Sequence, residues 1–328
     1  MNNRRKIIFA LGASALAAPF VSFAQQQGKV WRIGFLTAFP SDNDPRFEVF
    51  KQQLRDLGHV EGKTIIIDYQ TVEGKYDRLP ALAADLVRRN VDVIMVDGGT
   101  PAAIAAKNAT KTIPIVLAAI NDPVGQGLVA SLARPGGNVT GNTNQGRDTA
   151  SKSIELLKEI VPSAKRIAIL TNPTNSSLLL VISDLQAAAK TLRLEIIVVN
   201  AGTPAVFEKA FAEIARNRPA GLFILADPLF NSETGRLATL AAKYRLPTIG
   251  TLSTFPESGG LMSYGANRPD LLRHAAIQVD KILKGAKPAD LPVEQPTKFD
   301  LVLNKRTARD LGIKIPNSIL VQATKVIE

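Results

Sequence analysis

The chain has 328 residues, of which 45% are hydrophobic, with a net charge of +11 and no cysteine. This length allows two domains of ordinary size with a substantial core. The lack of cysteine excludes disulfide bonds, thiolate metal sites and cysteine nucleophiles. Lys and Arg residues alternate with acidic ones on predicted helices, with neither a basic run after the N-terminal segment nor interleaved aromatics, so we do not expect nucleic-acid binding.

The N-terminal segment predicts export. Cations at residues 4–6 precede an apolar stretch over residues 7–21, and Ser22 and Ala24 provide the small residues of a cleavage site. This order is typical of a secretory signal peptide, and the stretch is shorter than the roughly 20 apolar residues that a spanning helix needs. We expect residues 1–24 to be removed after Sec or twin-arginine export. The net charge then falls to +8.

Apolar, β-branched runs alternate with amphipathic segments through the rest of the chain. The first amphipathic segment places Phe47, Phe50 and Leu54 on one helical face and ends at Gly58. The runs are typical of parallel strands that are covered on both faces. In chain order, the predicted strands are residues 31–37, 64–69, 91–96, 113–118, 166–171, 194–199, 221–226 and 246–251. This βαβα order predicts an α/β fold with doubly wound parallel sheets, and the strands suffice for two sheets.

The two halves of the chain repeat each other. Arg32-Ile-Gly-Phe-Leu-Thr37 matches Arg166-Ile-Ala-Ile-Leu-Thr171, and residues 91–97 match residues 221–227. We therefore predict two similar lobes that are joined by a hinge of several chain crossings. The alternative explanation of the repeat is that all parallel sheets use similar residues in their strands. The predicted lobes are residues 28–145 with about 255–290, and residues 146–254 with about 291–328. A ligand would bind between them, at the carboxyl ends of the strands.

Polar side chains follow the predicted strands at this edge. Thr100 is predicted to cap a helix whose free amides favour an anionic ligand group, although a plain cap explains it equally well. Asp122 and Asp227 each follow a strand and precede a proline, so one of them would accept a ligand ammonium group and the other would only cap a helix. Tyr264 is the aromatic residue that we expect beside the ligand. The candidate ligand-binding residues are Thr37, Ser41, Thr100, Asn121, Asp122, Thr171, Asn172, Asn175, Asp227 and Tyr264.

The sequence contains no catalytic constellation. His59 is predicted in an exposed loop and His274 on a helix surface, and neither belongs to a zinc motif or accompanies a nucleophile elbow. Residues 125–130 fit the dinucleotide pattern G-x-G-x-x-A. However, Asp122 would place a carboxylate where the pyrophosphate should lie, so we interpret these glycines as helix packing. We expect neither enzyme activity nor a cofactor or metal.

Long phrases across residues 30–328 carry a family resemblance. They include Arg134-Pro-Gly-Gly-Asn-Val-Thr-Gly141, Gly259-Gly-Leu-Met-Ser-Tyr-Gly265 and Lys281-Ile-Leu-Lys-Gly-Ala-Lys-Pro288. The chain resembles the ABC transporter substrate-binding proteins of the tryptophan/tyrosine-binding type. The resemblance implies a type I periplasmic-binding-protein-like fold, in which the lobes close on a small solute, with an aromatic amino acid favoured.

The resemblance also implies a periplasmic location and delivery of the solute to an ABC permease and ATPase. We expect a monomer. The alternative interpretation is a periplasmic ligand-sensing module for a membrane receptor. A third hypothesis, an exported hydrolase or isomerase, lacks a nucleophile and a base in the sequence.

Overall fold

The computed structural model describes residues 29–39, 45–72 and 75–328. The predicted signal peptide and the candidate residue Ser41 lie outside the described residues. Strands β1 to β5 are Trp31–Thr37, Ile65–Thr71, Val93–Asp97, Ile115–Ile120 and Val139–Thr143. Strands β6 to β12 are Arg166–Thr171, Glu195–Asn200, Leu222–Ile224, Thr248–Gly250, Met262–Ala266, Phe299–Asn304 and Lys325–Ile327.

Helices cover both faces of the sheets that these strands form. Helices α1 to α6 are Pro45–Asp56, Leu79–Arg88, Gly99–Ala109, Gly146–Ile160, Leu178–Thr191 and Phe207–Arg216. Helices α7 to α12 are Pro228–Ser232, Thr234–Lys243, Thr254–Glu257, Arg268–Leu283, Lys305–Leu311 and Asn317–Gln322. Within the described ranges, no helix is long and apolar enough to cross a membrane.

The two sheets share one strand order. The first is parallel and runs β2-β1-β3-β4-β5, whereas the second runs β12-β11-β10-β9-β8-β6-β7, with β10 and β11 antiparallel. Five strands of the second sheet, β7-β6-β8-β9-β10, therefore repeat the order of the first sheet. This order is that of a doubly wound sheet whose ligand site lies outside the carboxyl ends of the strands. The prediction of two similar doubly wound halves is confirmed.

Alternate residues of the central strands enter cores on opposite sheet faces. Phe35 of β1 packs with Phe50 of α1 and Val279 of α10, whereas its neighbour Leu36 packs with Leu86 of α2 on the other face. This alternation is the period of two that a strand imposes. In the second sheet the two faces are covered in the same manner by α4 and α5 and by α6 and α8. Both halves thus have their own hydrophobic cores.

The chain passes between the two sheets three times, near residues 143–146, 266–268 and 294–299. We use lobe 1 for the first sheet and its helices, including α10, and lobe 2 for the second sheet and its helices. We expected the second crossing at about residue 255. The chain instead remains in lobe 2 through β10, because β10 pairs with β9 in the second sheet. The third crossing also lies later than expected, because Glu294 N donates to Gly141 O at 2.9 Å beside β5.

Two local predictions are wrong. A helix was expected after Asp122, but residues 123–133 form turns, because Gly127 is left-handed and Asp122 Oδ1 accepts a hydrogen bond from Gly125 N at 2.9 Å. The glycines at 125 and 127 consequently shape a turn and do not pack a helix. His59 was expected to be exposed, but it is buried, and its Nε2 lies 2.8 Å from Asp280 Oδ1 on α10.

Candidate ligand-binding site

A cavity lies between the lobes at the carboxyl ends of the strands, with a volume of about 90 Å³. This exceeds the roughly 10–15 Å³ that a cavity needs to hold one water molecule, so the cavity has room for a small solute. Lobe 2 supplies an apolar wall, and both lobes supply polar groups around it. The apolar wall comprises Ala150, Leu178, Val181, Phe223 and Leu225. The polar residues are Asn121, Asn144, Thr149, Asp227, Asn231, Thr251 and Arg268.

Phe39 extends the apolar lining from lobe 1, and the Arg46 guanidinium carbon lies 3.6 Å from its ring centroid. Gly99, at the start of α3, faces Pro228 of lobe 2. A Cβ atom at Gly99 would stand 3.1 Å from Pro228 Cγ, and the φ of Gly99 is +70°. Glycine is required there both by the left-handed backbone and by the close approach of the lobes.

Asp227 is the most densely bonded polar group at the cavity. Its Oδ1 accepts hydrogen bonds from Leu229 N at 2.9 Å and Asn172 Nδ2 at 3.1 Å, and its Oδ2 accepts one from Asn175 Nδ2 at 2.8 Å. From lobe 1, Tyr76 Oη donates to Asp227 Oδ1 at 2.9 Å. This cluster brings together three of the residues predicted from sequence and adds Tyr76, so one of its hydrogen bonds joins the two lobes.

Burial governs the ionisation of this pair. It raises the pKa of Asp227 above its ordinary value, and the hydrogen bonds from Asn175, Asn172, Leu229 and Tyr76 offset part of that rise. Burial also raises the pKa of Tyr76, and the nearby charge of Asp227 raises it further. The phenol therefore remains protonated and able to donate its hydrogen bond.

Arg268 provides the cation at the cavity. It is the first residue of α10, at the second chain crossing, and its Nη2 forms an ion pair with Asp97 Oδ1 at the end of β3. The Asp97 side chain is buried, with 5% exposed, whereas that of Arg268 is 16% exposed. Because the guanidinium group has five N–H donors in a fixed plane, the ion pair with Asp97 leaves donors available toward the cavity.

Asn121 has a free acceptor at the cavity. Its Oδ1 is buried and has no hydrogen-bond partner among the described residues. A Cβ atom at Gly146, another lining residue, would stand 2.8 Å from this oxygen, which explains a glycine at that position. Buried polar atoms of folded proteins are nearly always hydrogen bonded, so Asn121 Oδ1 is suited to accept a donor from a bound solute.

The structure places Asp122 outside the cavity. Its Oδ2 lies 3.2 Å from Arg147 Nη1 of lobe 2, in a separate hollow at the hinge side. Arg147 also binds Asp184, whose pKa it lowers below the ordinary carboxyl value. Asp122 and Asp227 do not occupy equivalent positions in the two lobes, contrary to expectation. Asp227 follows β8, and the equivalent strand of lobe 1, β3, ends at Asp97.

The other predicted residues described by the structure do not line the cavity. Thr37 Oγ1 donates to Asp97 O at 3.2 Å and accepts from Phe39 N at 3.1 Å. Thr171 is buried at the end of β6. Thr100 is buried in the first turn of α3, whose cap is Gly98, so its predicted capping role is wrong. Tyr264 stacks on Phe299, with ring centroids 6.0 Å apart, in lobe 2.

Sequence comparison gives the family of the chain. The family described as ABC transporter substrate binding protein matches residues 43–327. The chain belongs to this family. Membership confirms the prediction of a solute-binding protein without enzyme activity.

Among curated proteins, the tyrosine-binding protein of Clostridioides difficile (strain R20291) is 29% identical to this chain over 265 residues, which are 81% of this chain and 76% of the relative. An ABC domain from Streptococcus pneumoniae, solved in complex with L-Trp, is 28% identical and superposes with a TM-score of 0.84, covering 90% of this chain and 99% of the other. A ligand-free, open substrate-binding protein from Clostridium difficile is 27% identical but superposes with a TM-score of only 0.66, covering 91% and 99%.

Sequence reasoning missed Tyr76, Asp97 and Arg268. A signal for Asp97 was present, since residues 91–97 were matched to residues 221–227 and the match ends on an aspartate in both halves. Neither Tyr76 nor Arg268 follows a predicted strand. Their place at the cleft depends on how the lobes and the hinge come together, and no local pattern reports this.

Proposed function

We propose that this substrate-binding protein captures an aromatic amino acid between its lobes in the periplasm and delivers it to an ABC permease. The observation that carries the proposal is the composition of the cavity: an apolar wall of Leu178, Val181 and Phe223 lies beside the charged groups of Arg268 and Asp227. A zwitterion with a large apolar side chain has the same arrangement of groups. The relatives named for tyrosine and solved with L-Trp support this choice of solute.

The anchors divide by charge. Arg268 presents N–H donors suited to the ligand carboxylate. Asp227 Oδ2 accepts a single protein hydrogen bond, from Asn175, and therefore retains acceptor capacity for the ligand ammonium group. Asn121 Oδ1 is a further acceptor for an N–H donor of the solute. Neither Asp122 nor Tyr264 belongs to this anchoring set.

Lobe closure is the second part of the proposal. The contacts that join the lobes in the described part of the chain include the hydrogen bond from Tyr76 to Asp227, the approach of Gly99 to Pro228, and the ion pair of Asp122 with Arg147. The better superposition on the L-Trp complex than on the ligand-free, open relative supports a closed arrangement here. The ligand shifts the protein toward this closed form because it contacts both lobes only there.

Ligand analogues test the assignment without disturbing the fold. We expect calorimetry on unfolded and refolded protein, freed of any co-purified solute, to show binding of L-tryptophan or L-tyrosine. Tryptamine, which lacks the carboxylate, and indole-3-propionate, which lacks the ammonium group, should each bind about 10- to 100-fold more weakly, because each leaves one charged anchor unpaired. L-Leucine is the control for the apolar wall. Binding of tryptamine as tight as that of L-tryptophan would exclude Arg268 as the carboxylate anchor.

Delivery and closure need separate measurements. X-ray scattering should show a smaller radius of gyration once the bound amino acid is added. In cells that carry the cognate permease, deletion of the protein should abolish high-affinity uptake of that amino acid. Binding and compaction with unchanged uptake would instead favour a sensory role.

A further inference from the structure

One edge of lobe 2 carries a concentration of free cations. In the neighbouring parallel strands β9, β8, β6 and β7, the amino ends all lie at the edge opposite the ligand cavity. The segments that enter these strands, or the helix ends just before them, carry the cations. We define the basic face as Lys165, Lys190, Arg193, Arg216, Arg218 and Arg245, which are all exposed.

These cations lack carboxylate partners. Within the described part of the chain, none of the six lies within 4.0 Å of an Asp or Glu oxygen; Arg245 Nη2 donates to a backbone oxygen, that of Asp310, at 3.1 Å. Of the nearby carboxylates, Glu195 is already paired with Arg166 at 2.8 Å. Glu159, Glu213 and Asp310, in the last turns of α4, α6 and α11, are further carboxylates at this edge and are fewer than the six cations. The basic face is thus a surface with excess positive charge.

Three of the arginines have a left-handed backbone conformation, which is unfavourable for arginine. Arg193, Arg218 and Arg245 follow α5, α6 and α8 with φ values of 54°, 46° and 52°. Glycine or asparagine usually occupies this left-handed position after a helix. In lobe 1, Gly58 and Asn90 occupy it after α1 and α2, with φ values of 92° and 52°. Lobe 2 has arginine at each of the three corresponding helix ends.

The helix dipole does not account for this difference. It favours a cation near any helix C-terminus, and lobe 1 has such cations as well. There, however, Arg88 and Arg89 pair with Asp85 at 2.9 and 2.6 Å, and Lys29 pairs with Asp92. At the end of α2 and the start of β1, lobe 1 therefore neutralises its cations with its own carboxylates, whereas the cations of the basic face have no such partners.

We propose that the basic face binds the anionic headgroups of a phospholipid bilayer. Neighbouring strands are about 4.8 Å apart, so the four strand entries spread the cations over roughly 15 Å of one sheet edge. Tyr244, the aromatic residue beside Arg245, is half-buried and stacks on Phe211, so its ring is not an exposed stacking platform for nucleic-acid bases. Because this edge lies opposite the cavity, lipid binding leaves the cleft open to solute. It concentrates the protein near the membrane.

Glycine substitutions provide a test that preserves the fold. The triple variant Arg193→Gly, Arg218→Gly and Arg245→Gly removes three charges and relieves three left-handed positions. The full chain should cosediment with vesicles of phosphatidylcholine and phosphatidylglycerol at moderate salt, but not with phosphatidylcholine alone. The triple variant should bind the anionic vesicles roughly a hundredfold more weakly, since each basic side chain contributes about a fivefold effect near such a surface.

The control variant Lys63→Gln, Lys281→Gln and Lys287→Gln removes the same number of charges from exposed positions in lobe 1. It should retain binding to anionic vesicles, and both variants should keep the solute affinity of the parent, which separates this proposal from the binding function. The proposal is overturned if the unsubstituted protein does not bind anionic vesicles or binds a DNA duplex more tightly than the vesicles. It is also overturned if the two triple variants lose vesicle binding equally.

Discussion

The Tyr76→Phe substitution isolates the hydrogen bond that joins the two lobes. It removes the Oη atom that donates to Asp227 Oδ1 at 2.9 Å and leaves the ring in place. Because Tyr76 belongs to lobe 1 and Asp227 to lobe 2, this bond exists only when the lobes are closed. The substitution should therefore destabilise the closed form and leave the open form unchanged.

The size of the effect follows from what Asp227 retains. Its carboxylate still accepts hydrogen bonds from Asn172, Asn175 and Leu229, so the substitution does not leave a buried charge without donors. A hydrogen bond to a charged group contributes about 1.5–3 kcal/mol, and water replaces part of it in the open form. A net loss of about 1–2 kcal/mol lowers the ratio of closed to open protein by roughly 5- to 30-fold.

Calorimetry and X-ray scattering measure this loss. If the free protein is mainly open, the apparent Kd for the amino acid should rise by the full 5- to 30-fold. The radius of gyration at saturating ligand should match that of the parent. Tyr244→Phe, a change at a half-buried tyrosine stacked on Phe211 within lobe 2, is the control and should leave affinity unchanged. Equal Kd values for parent and Tyr76→Phe would refute a closing role for the bond.

Two further substitutions test other parts of the structure. Gly99→Ala should weaken solute binding in calorimetry, because the new Cβ would stand 3.1 Å from Pro228 Cγ across the cleft. Gly127→Ala is the control, since Gly127 has a φ of +65° and open space around it. Both variants should lose about 1–2 kcal/mol of stability in thermal unfolding through backbone strain, but Gly127→Ala should leave the affinity unchanged. Asp270, whose pKa the hydrogen bond from Lys298 lowers below 3.8, stabilises the fold above that ordinary pKa, and this contribution is lost as pH falls through the lower folded value. Asp270→Asn should therefore flatten the acid end of the pH–stability curve measured by denaturant unfolding.

Strands that begin with or consist of an apolar run could be predicted from the sequence, and β5 could not. The bounds Trp31–Thr37 and Arg166–Thr171 follow from apolar runs and agree with the structure. By contrast, β5, Val139–Thr143, contains Thr140 and Asn142 and has no apolar run. Its polar side chains bond to distant parts of the chain: Asn142 Nδ2 donates to Leu271 O at 3.0 Å, and Thr140 Oγ1 donates to Leu291 O at 2.7 Å. No local pattern reports such tertiary partners.

The same distinction applies to the cleft. Asn121, Asn172, Asn175 and Asp227 could be chosen from sequence because the carboxyl ends of parallel strands meet at one edge. That rule could not predict which groups of the two lobes face each other across the cleft. The burial of His59 against Asp280 likewise depends on α10 returning to lobe 1 after more than two hundred residues.

The arrangement of charges indicates how closure selects a zwitterion. Arg268 is held by Asp97 within lobe 1, and Asp227 is held by Asn172 and Asn175 within lobe 2, so each lobe has its anchor in place before closure. Closing the cleft removes water from both anchors, and burial already raises the pKa of Asp227. A ligand that lacks either charge would leave one anchor desolvated without compensation, which costs about 1–3 kcal/mol or more. Such a ligand can occupy one lobe, but it does not stabilise the closed form. We infer that the selection against ligands with a single charge occurs mainly at closure.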